Sequence, residues 1–236
     1  MLFLNNPIFA KNKPLIYSLL FINELRLAEN HDWVIFILII CAFLYLFMMI
    51  SLQRDASIKS FLLQSFEDSS NGFASWIITG MVTSFTLSIL ISQYIPFVPK
   101  SVNDLQLFGY QLNKFGFVFI SVLLFYIAKA ILTFFFFESI GSTKKWSIFY
   151  FTGTKFYFIF SLVLLVFCIL NFYFNFSRES LFSVLILFLT SAFIFKILFY
   201  LLHQNKILPQ QWYYKFLYIC TLQIAPLLVL WKLFFL

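Results

Sequence analysis

Charged side chains are scarce in this chain: 11 % of its 236 residues are Asp, Glu, Lys or Arg, where a soluble domain of this length carries roughly 25 %. Water is therefore excluded as the solvent for most of the surface. Cysteine is as sparse. Cys41, Cys168 and Cys220 lie in three separate apolar runs with no C-x-x-C spacing, which excludes a disulfide framework and a thiolate metal site and leaves three small apolar residues. Dense basic tracts are missing too, although the net charge is +7. Lys and Arg stand singly among apolar residues, which speaks against a nucleic-acid partner and for contact with anionic lipid headgroups and a topogenic role.

Signatures of chemistry are also missing. The chain contains no G-x-G-x-x-G, G-K-[ST], H-E-x-x-H or G-x-S-x-G, so no cofactor is implied and the expectation is a non-enzymatic protein. Its long apolar runs hold no Asp or Glu in their interiors, which weighs against proton- or sodium-coupled transport and against intramembrane proteolysis by paired aspartates. His31 and His203 flank the ends of different runs and read as interfacial side chains, not ligands. Met1 to Lys13 offers neither a basic region before an apolar core nor a small-residue cleavage site. The first span is accordingly expected to act as an uncleaved insertion signal.

What is present is apolar length. Hydrophobic residues make up 62 % of the chain, with 37 Phe, 12 Tyr and 5 Trp, and six runs reach the roughly 20 residues that a helix needs to cross a bilayer. They lie near residues 33–52, 73–95, 115–137, 156–176, 181–202 and 216–235. Strands of a barrel would be shorter and would alternate apolar with polar residues. The fold class is therefore all-α, a polytopic transmembrane helical bundle of about six spans forming one membrane domain. Residues 1–31 precede it, and Pro14 to Asn30 mixes apolar residues with Glu24, Arg26 and Glu29, as an amphipathic helix on the membrane surface or against the bundle end would. The longest loops, Gln53 to Gly72, Pro96 to Lys114 and Glu138 to Lys155, leave no room for a catalytic domain outside the membrane.

Basic residues set the expected orientation. The side with the loops after spans one, three and five carries Arg54, Lys59, Lys144, Lys145, Lys155, Lys206 and Lys215, and Lys129 and Lys196 lie inside spans nearer that side. The opposite side has Arg26, Lys100, Lys114, Arg178 and Lys232 near its span ends. The bias places the first set of loops in the cytoplasm and both termini in the periplasm.

Within the spans, a few polar residues stand out because each is costly there. A lysine at the centre of an inserted helix costs roughly 2.5–3.5 kcal/mol. Lys129 and Lys196 can snorkel to the near surface, the preferred reading for Lys196, or form a cationic pair holding a carboxylate or lipid phosphate. Glu138, Glu67 and Asp68 are the candidate protein partners. Gly80, Ser84, Ser88 and Ser92 recur every four residues on span two, a face for close helix packing, with a hydroxyl-lined path as the alternative. Pro226 in span six removes a backbone donor and predicts a kink that frees the carbonyl of Leu222, with Gln223 placed to bond across to another helix.

The closing run YYKFLYICTLQIAPLLVLWKLF, the lysine in FYIAKAIL and the aromatic stretch KKWSIFYFTGTKFYF resemble an uncharacterised family of Bacteroidota inner-membrane proteins, a domain of unknown function, over nearly the whole chain. The resemblance implies a location in the bacterial inner membrane and no defined activity. Two roles are expected from these readings. The first is a subunit or scaffold of a larger envelope complex for secretion, motility or envelope biogenesis, with membrane lipids and other membrane proteins as partners. The second is a small transporter or lipid-handling protein that engages an anionic group through its intramembrane lysines.

Overall fold

The computed structural model describes residues 32–52, 57–67, 71–95, 106–107, 110–111, 113–174, 177–202, 207–209 and 211–235. The chain divides into two compact units, Met1–Phe36 and Ile37–Leu236. Of the first, only the opening residues of one helix are described. The amphipathic segment expected over Pro14 to Asn30 and both histidines lie outside the described residues.

Among the described residues, six helices are long and apolar enough to cross a membrane, as in a multi-pass membrane protein: Trp33–Leu52, Gly72–Tyr94, Lys114–Ser139, Lys144–Tyr173, Glu179–Leu202 and Trp212–Phe235. Helices close every backbone hydrogen bond within the segment, which lipid requires. Two of the six are not α-helical throughout. Span one ends in a π-helical stretch, Met48–Leu52, and span six contains another, Tyr218–Ile224. A two-residue antiparallel ladder pairs Gln106 with Gln111 and Leu107 with Tyr110 in the connection after span two.

The fourth helix departs from the expected boundaries. It starts at Thr143, well before Phe156, and runs 31 residues to Tyr173, about 46 Å at 1.5 Å per residue. The long loop expected from Glu138 to Lys155 is thus a tight turn followed by helix. Gly141 adopts φ 69°; its amide donates to the Glu138 carbonyl (2.9 Å) while the Ser142 amide donates to that of Phe137 (3.0 Å). This is a glycine-terminated helix end, and the next helix begins directly after Ser142.

Span two is the centre of the bundle. More than half of it is buried (56 %), against 22 % or less of spans three to six, and it packs most extensively on spans three and four. Its small residues permit this. Ser84 and Ser88 are fully buried, and their hydroxyls donate back to the carbonyls of Gly80 (2.8 Å) and Ser84 (2.6 Å); Ser92 does the same to Ile89 (2.9 Å). Polar groups satisfied on their own helix leave a smooth surface for a neighbour. Cross-links to span four are few and specific: Tyr94 Oη donates to Asn171 Oδ1 (2.9 Å), Asn171 Nδ2 to Gln93 Oε1, and Cys168 Sγ to the Thr86 carbonyl (3.7 Å).

Lys155 ties the connection after span one to span four. The short helix Ile58–Leu63 ends against it, with Nζ donating to the carbonyls of Leu62 (2.9 Å) and Gln64 (2.5 Å). An ammonium at a helix C-terminus satisfies carbonyls that have no partner within the helix.

Candidate functional site

Four spans converge on Lys129 and Lys196. On span three, Tyr126, Lys129, Ala130 and Thr133 follow the i, i+3, i+4, i+7 spacing of one helix face. Span four supplies Tyr150, Gly153 and Tyr157 by the same rule, and span five supplies Lys196 and Tyr200. All of them line one cavity of about 40 Å³.

Lys129 Nζ donates to Gln223 Oε1 of span six at 2.6 Å, and Gln223 Nε2 donates to Tyr218 Oη. The π-helical stretch makes this relay possible. Residues five apart diverge around an α-helix, whereas the i→i+5 bonding of a π-helix brings them onto one face; the Ala225 amide bonds to the Cys220 carbonyl in that register. Pro226 follows at the second position of the closing α-helix, Ala225–Phe235. A π-helical stretch thus leads into Pro226, the position at which the sequence predicts a kink.

Lys196 does not snorkel. It is 5 % exposed, its Nζ donates to Tyr157 Oη at 2.5 Å, and it sits 4.4 Å from the centre of the Tyr157 ring, within cation–π range. Lys129 and Lys196 line the same small cavity. Among the described residues neither has an ion-pair partner. Glu138 and Glu67 are exposed and pair with neither lysine, and Asp68 lies outside the described residues.

Two glycines shape the walls. A Cβ at Gly80 would stand 2.8 Å from Tyr126 Cε1, and one at Gly153 would stand 2.9 Å from Tyr200 Oη. Each glycine admits a tyrosine to the cavity. Gly80, read from the sequence as part of a packing face, thereby also shapes the site, and Ser84 from the same face lines a second cavity with both lysines. The tyrosines themselves were not singled out in the sequence. Their signal was available: Tyr126 and Tyr200 stand one helical turn from Lys129 and Lys196, and Tyr126 lies mid-span, away from the interfaces where Tyr is common.

Aromatic rings enclose the pair. Tyr126 meets Tyr157 with ring centres 5.5 Å apart and stacks on Trp76 at 5.8 Å, while Trp76 meets Tyr150 edge-on at 5.0 Å. Tyr126 Oη is buried without a hydrogen-bond partner among the described residues. The donors gathered here are ammonium and phenol groups, suited to an anion. Among the described residues no three His, Cys, Asp or Glu side chains cluster as metal ligands would.

No curated protein and no solved structure matches the chain. The family described as Domain of unknown function (DUF4271) matches residues 33–234, a range that includes both lysines, Gln223 and nearly all of the six spans. The chain belongs to that family.

Proposed function

We propose that this chain is a non-enzymatic integral membrane protein that binds an anionic group between Lys129 and Lys196. The observation that carries the proposal is the placement of two lysines from different spans on one small cavity, with no carboxylate beside them among the described residues. Like charges repel strongly where the dielectric is low, and an anion between them converts that repulsion into two charge-assisted hydrogen bonds. Tyr126 Oη adds a donor to the same cavity. The alternative of a small transporter or lipid-handling protein is thereby preferred over a purely architectural role.

A ligand that binds only the folded state raises its stability by mass action. The melting temperature of the purified chain in mild detergent should rise with inorganic phosphate, acetate or phosphatidylglycerol, and the rise should vanish in Lys129→Gln and Lys196→Gln. Equal stabilisation of wild type and both variants by every anion would overturn the proposal.

A second reading is kept because the described connections are short, leaving helix surface as the main means of contact: a subunit of a larger bacterial inner-membrane envelope assembly. It predicts stoichiometric partner proteins after mild-detergent purification from native membranes and mass spectrometry; recovery of the chain alone counts against it. The orientation proposed with either reading puts the connections after spans one, three and five in the cytoplasm and both termini in the periplasm. Reporter fusions at Lys144 and Lys145 test it.

A further inference from the structure

The lysine pair has an apolar annex. Lys129, Lys196, Tyr126 and Tyr157 also line a second cavity, of about 180 Å³, which adjoins the small one. Its far wall is formed by Ile91, Leu189, Phe193, Leu227 and Leu230, and the same five side chains line a third cavity of about 200 Å³. That third cavity ends beside Tyr94, Phe182 and Phe235. Along span five, Lys196 to Phe182 is about 21 Å at 1.5 Å per residue, the reach of a long acyl chain. A larger hollow of about 410 Å³ beside Phe73 and Phe134 shares Trp76, Ala130 and Tyr150 with the small cavity, but neither lysine lines it.

The two linked cavities follow a gap in the packing. Span five packs on span four, and the closing helix of span six packs on span three, but among the described residues spans five and six approach each other little, meeting at Phe182 and Phe235 with ring centres 6.2 Å apart. Leu227 on the span-six side is 40 % exposed. The cleft is therefore open laterally, where acyl chains reside, and its inner end is cationic.

Resting on the reading of the lysine pair as an anion site, we infer that the occupant is a single-chain fatty carboxylate, its head between Lys129 and Lys196 and its tail in the cleft between spans five and six. Charge complementarity selects the head, and the small volume of that cavity, about 40 Å³, favours a carboxylate over a bulkier phosphodiester. Length and lining select the tail. Burial of each methylene in such a cleft is favourable, so affinity should climb with chain length until the cleft is filled.

The test is equilibrium binding of radiolabelled palmitate to the purified full chain in a non-ionic detergent. Wild type should bind palmitate at least about tenfold more tightly than octanoate. Lys129→Gln and Lys196→Gln should each weaken palmitate binding at least about tenfold, and Leu189→Trp, which fills the cleft, should do likewise. The chain-length series on wild type needs no substitution and keeps the test decisive if Leu189→Trp folds poorly. If acetate competes as well as palmitate and chain length has no effect, the fatty-carboxylate inference falls while the anion site stands. Tighter binding of hexadecyl phosphate than of palmitate overturns the carboxylate head. Palmitate binding indifferent to both lysines, with no lysine-dependent stabilisation by any anion, removes the inference and the anion site together.

Discussion

Lys129 of span three donates to Gln223 of span six across 2.6 Å, so a lysine and an amide 94 positions apart in the chain share one part-buried hydrogen bond. Gln223 is 1 % exposed, and its second polar atom is taken up by Tyr218. The acceptor is a neutral amide, and among the described residues no carboxylate pairs with Lys129.

Replacing Gln223 by Leu removes the acceptor and leaves a buried donor without its partner, at a cost of about 1–3 kcal/mol. Gln223→Glu acts differently, because it puts a carboxylate where a bound anion would compete. Thermal unfolding in detergent should show Gln223→Leu destabilised and Gln223→Glu at least as stable as wild type. The stabilisation that added anions confer should be reduced in Gln223→Glu; an undiminished response would separate Lys129 from the anion site.

Gly153→Ala should destabilise the protein by about 1–3 kcal/mol, the usual range for forcing an added methyl into a packed interior. The clash is with one atom, Tyr200 Oη at 2.9 Å. Tyr200→Phe removes that atom, so the double variant should recover most of the loss, a non-additivity that a double-mutant cycle measures directly.

Ser84→Ala and Ser88→Ala should change stability by about 0.6 kcal/mol or less, since these hydroxyls bond only to carbonyls of their own helix. Ser84→Leu should destabilise strongly, because the residue is fully buried against neighbouring helices. Equal, large losses of activity in both alanine variants with stability intact would instead favour a hydroxyl-lined path.

Lys155→Met removes the donor to the carbonyls of Leu62 and Gln64. Amide hydrogen exchange in the short helix Ile58–Leu63 should speed up by at least about tenfold, with spans three and five unaffected. Uniform acceleration across the bundle would show that Lys155 supports more than this connection.

The six spans were legible because bilayer thickness imposes a length on each apolar run, and that length is a local property. The start of span four was not, because Trp146, Tyr150 and Lys155 dilute the apolar pattern before Phe156. The G-S pair at Gly141 and Ser142 was the available clue: a left-handed glycine ends one helix and the next begins directly after the serine. Lys129, Lys196 and Gln223 attracted attention singly, since each is costly in lipid wherever it points. Glu138 was a reasonable partner by proximity along span three, yet it lies nine residues beyond Lys129, about 13.5 Å along the axis.

The sequence alone determined the class of solvent and the all-α architecture and singled out Lys129 and Lys196, since these follow from composition and from the cost of polar groups in hydrocarbon. Only the tertiary structure decided which cation meets which partner. Tyr157 reaches Lys196 from span four, Gln223 reaches Lys129 from span six through a π-helical register, and Gly80 and Gly153 clear space for tyrosines from other spans. Those contacts depend on how helices rotate and pack against one another, and side-chain spacing along one helix carries no information about the face its neighbour presents.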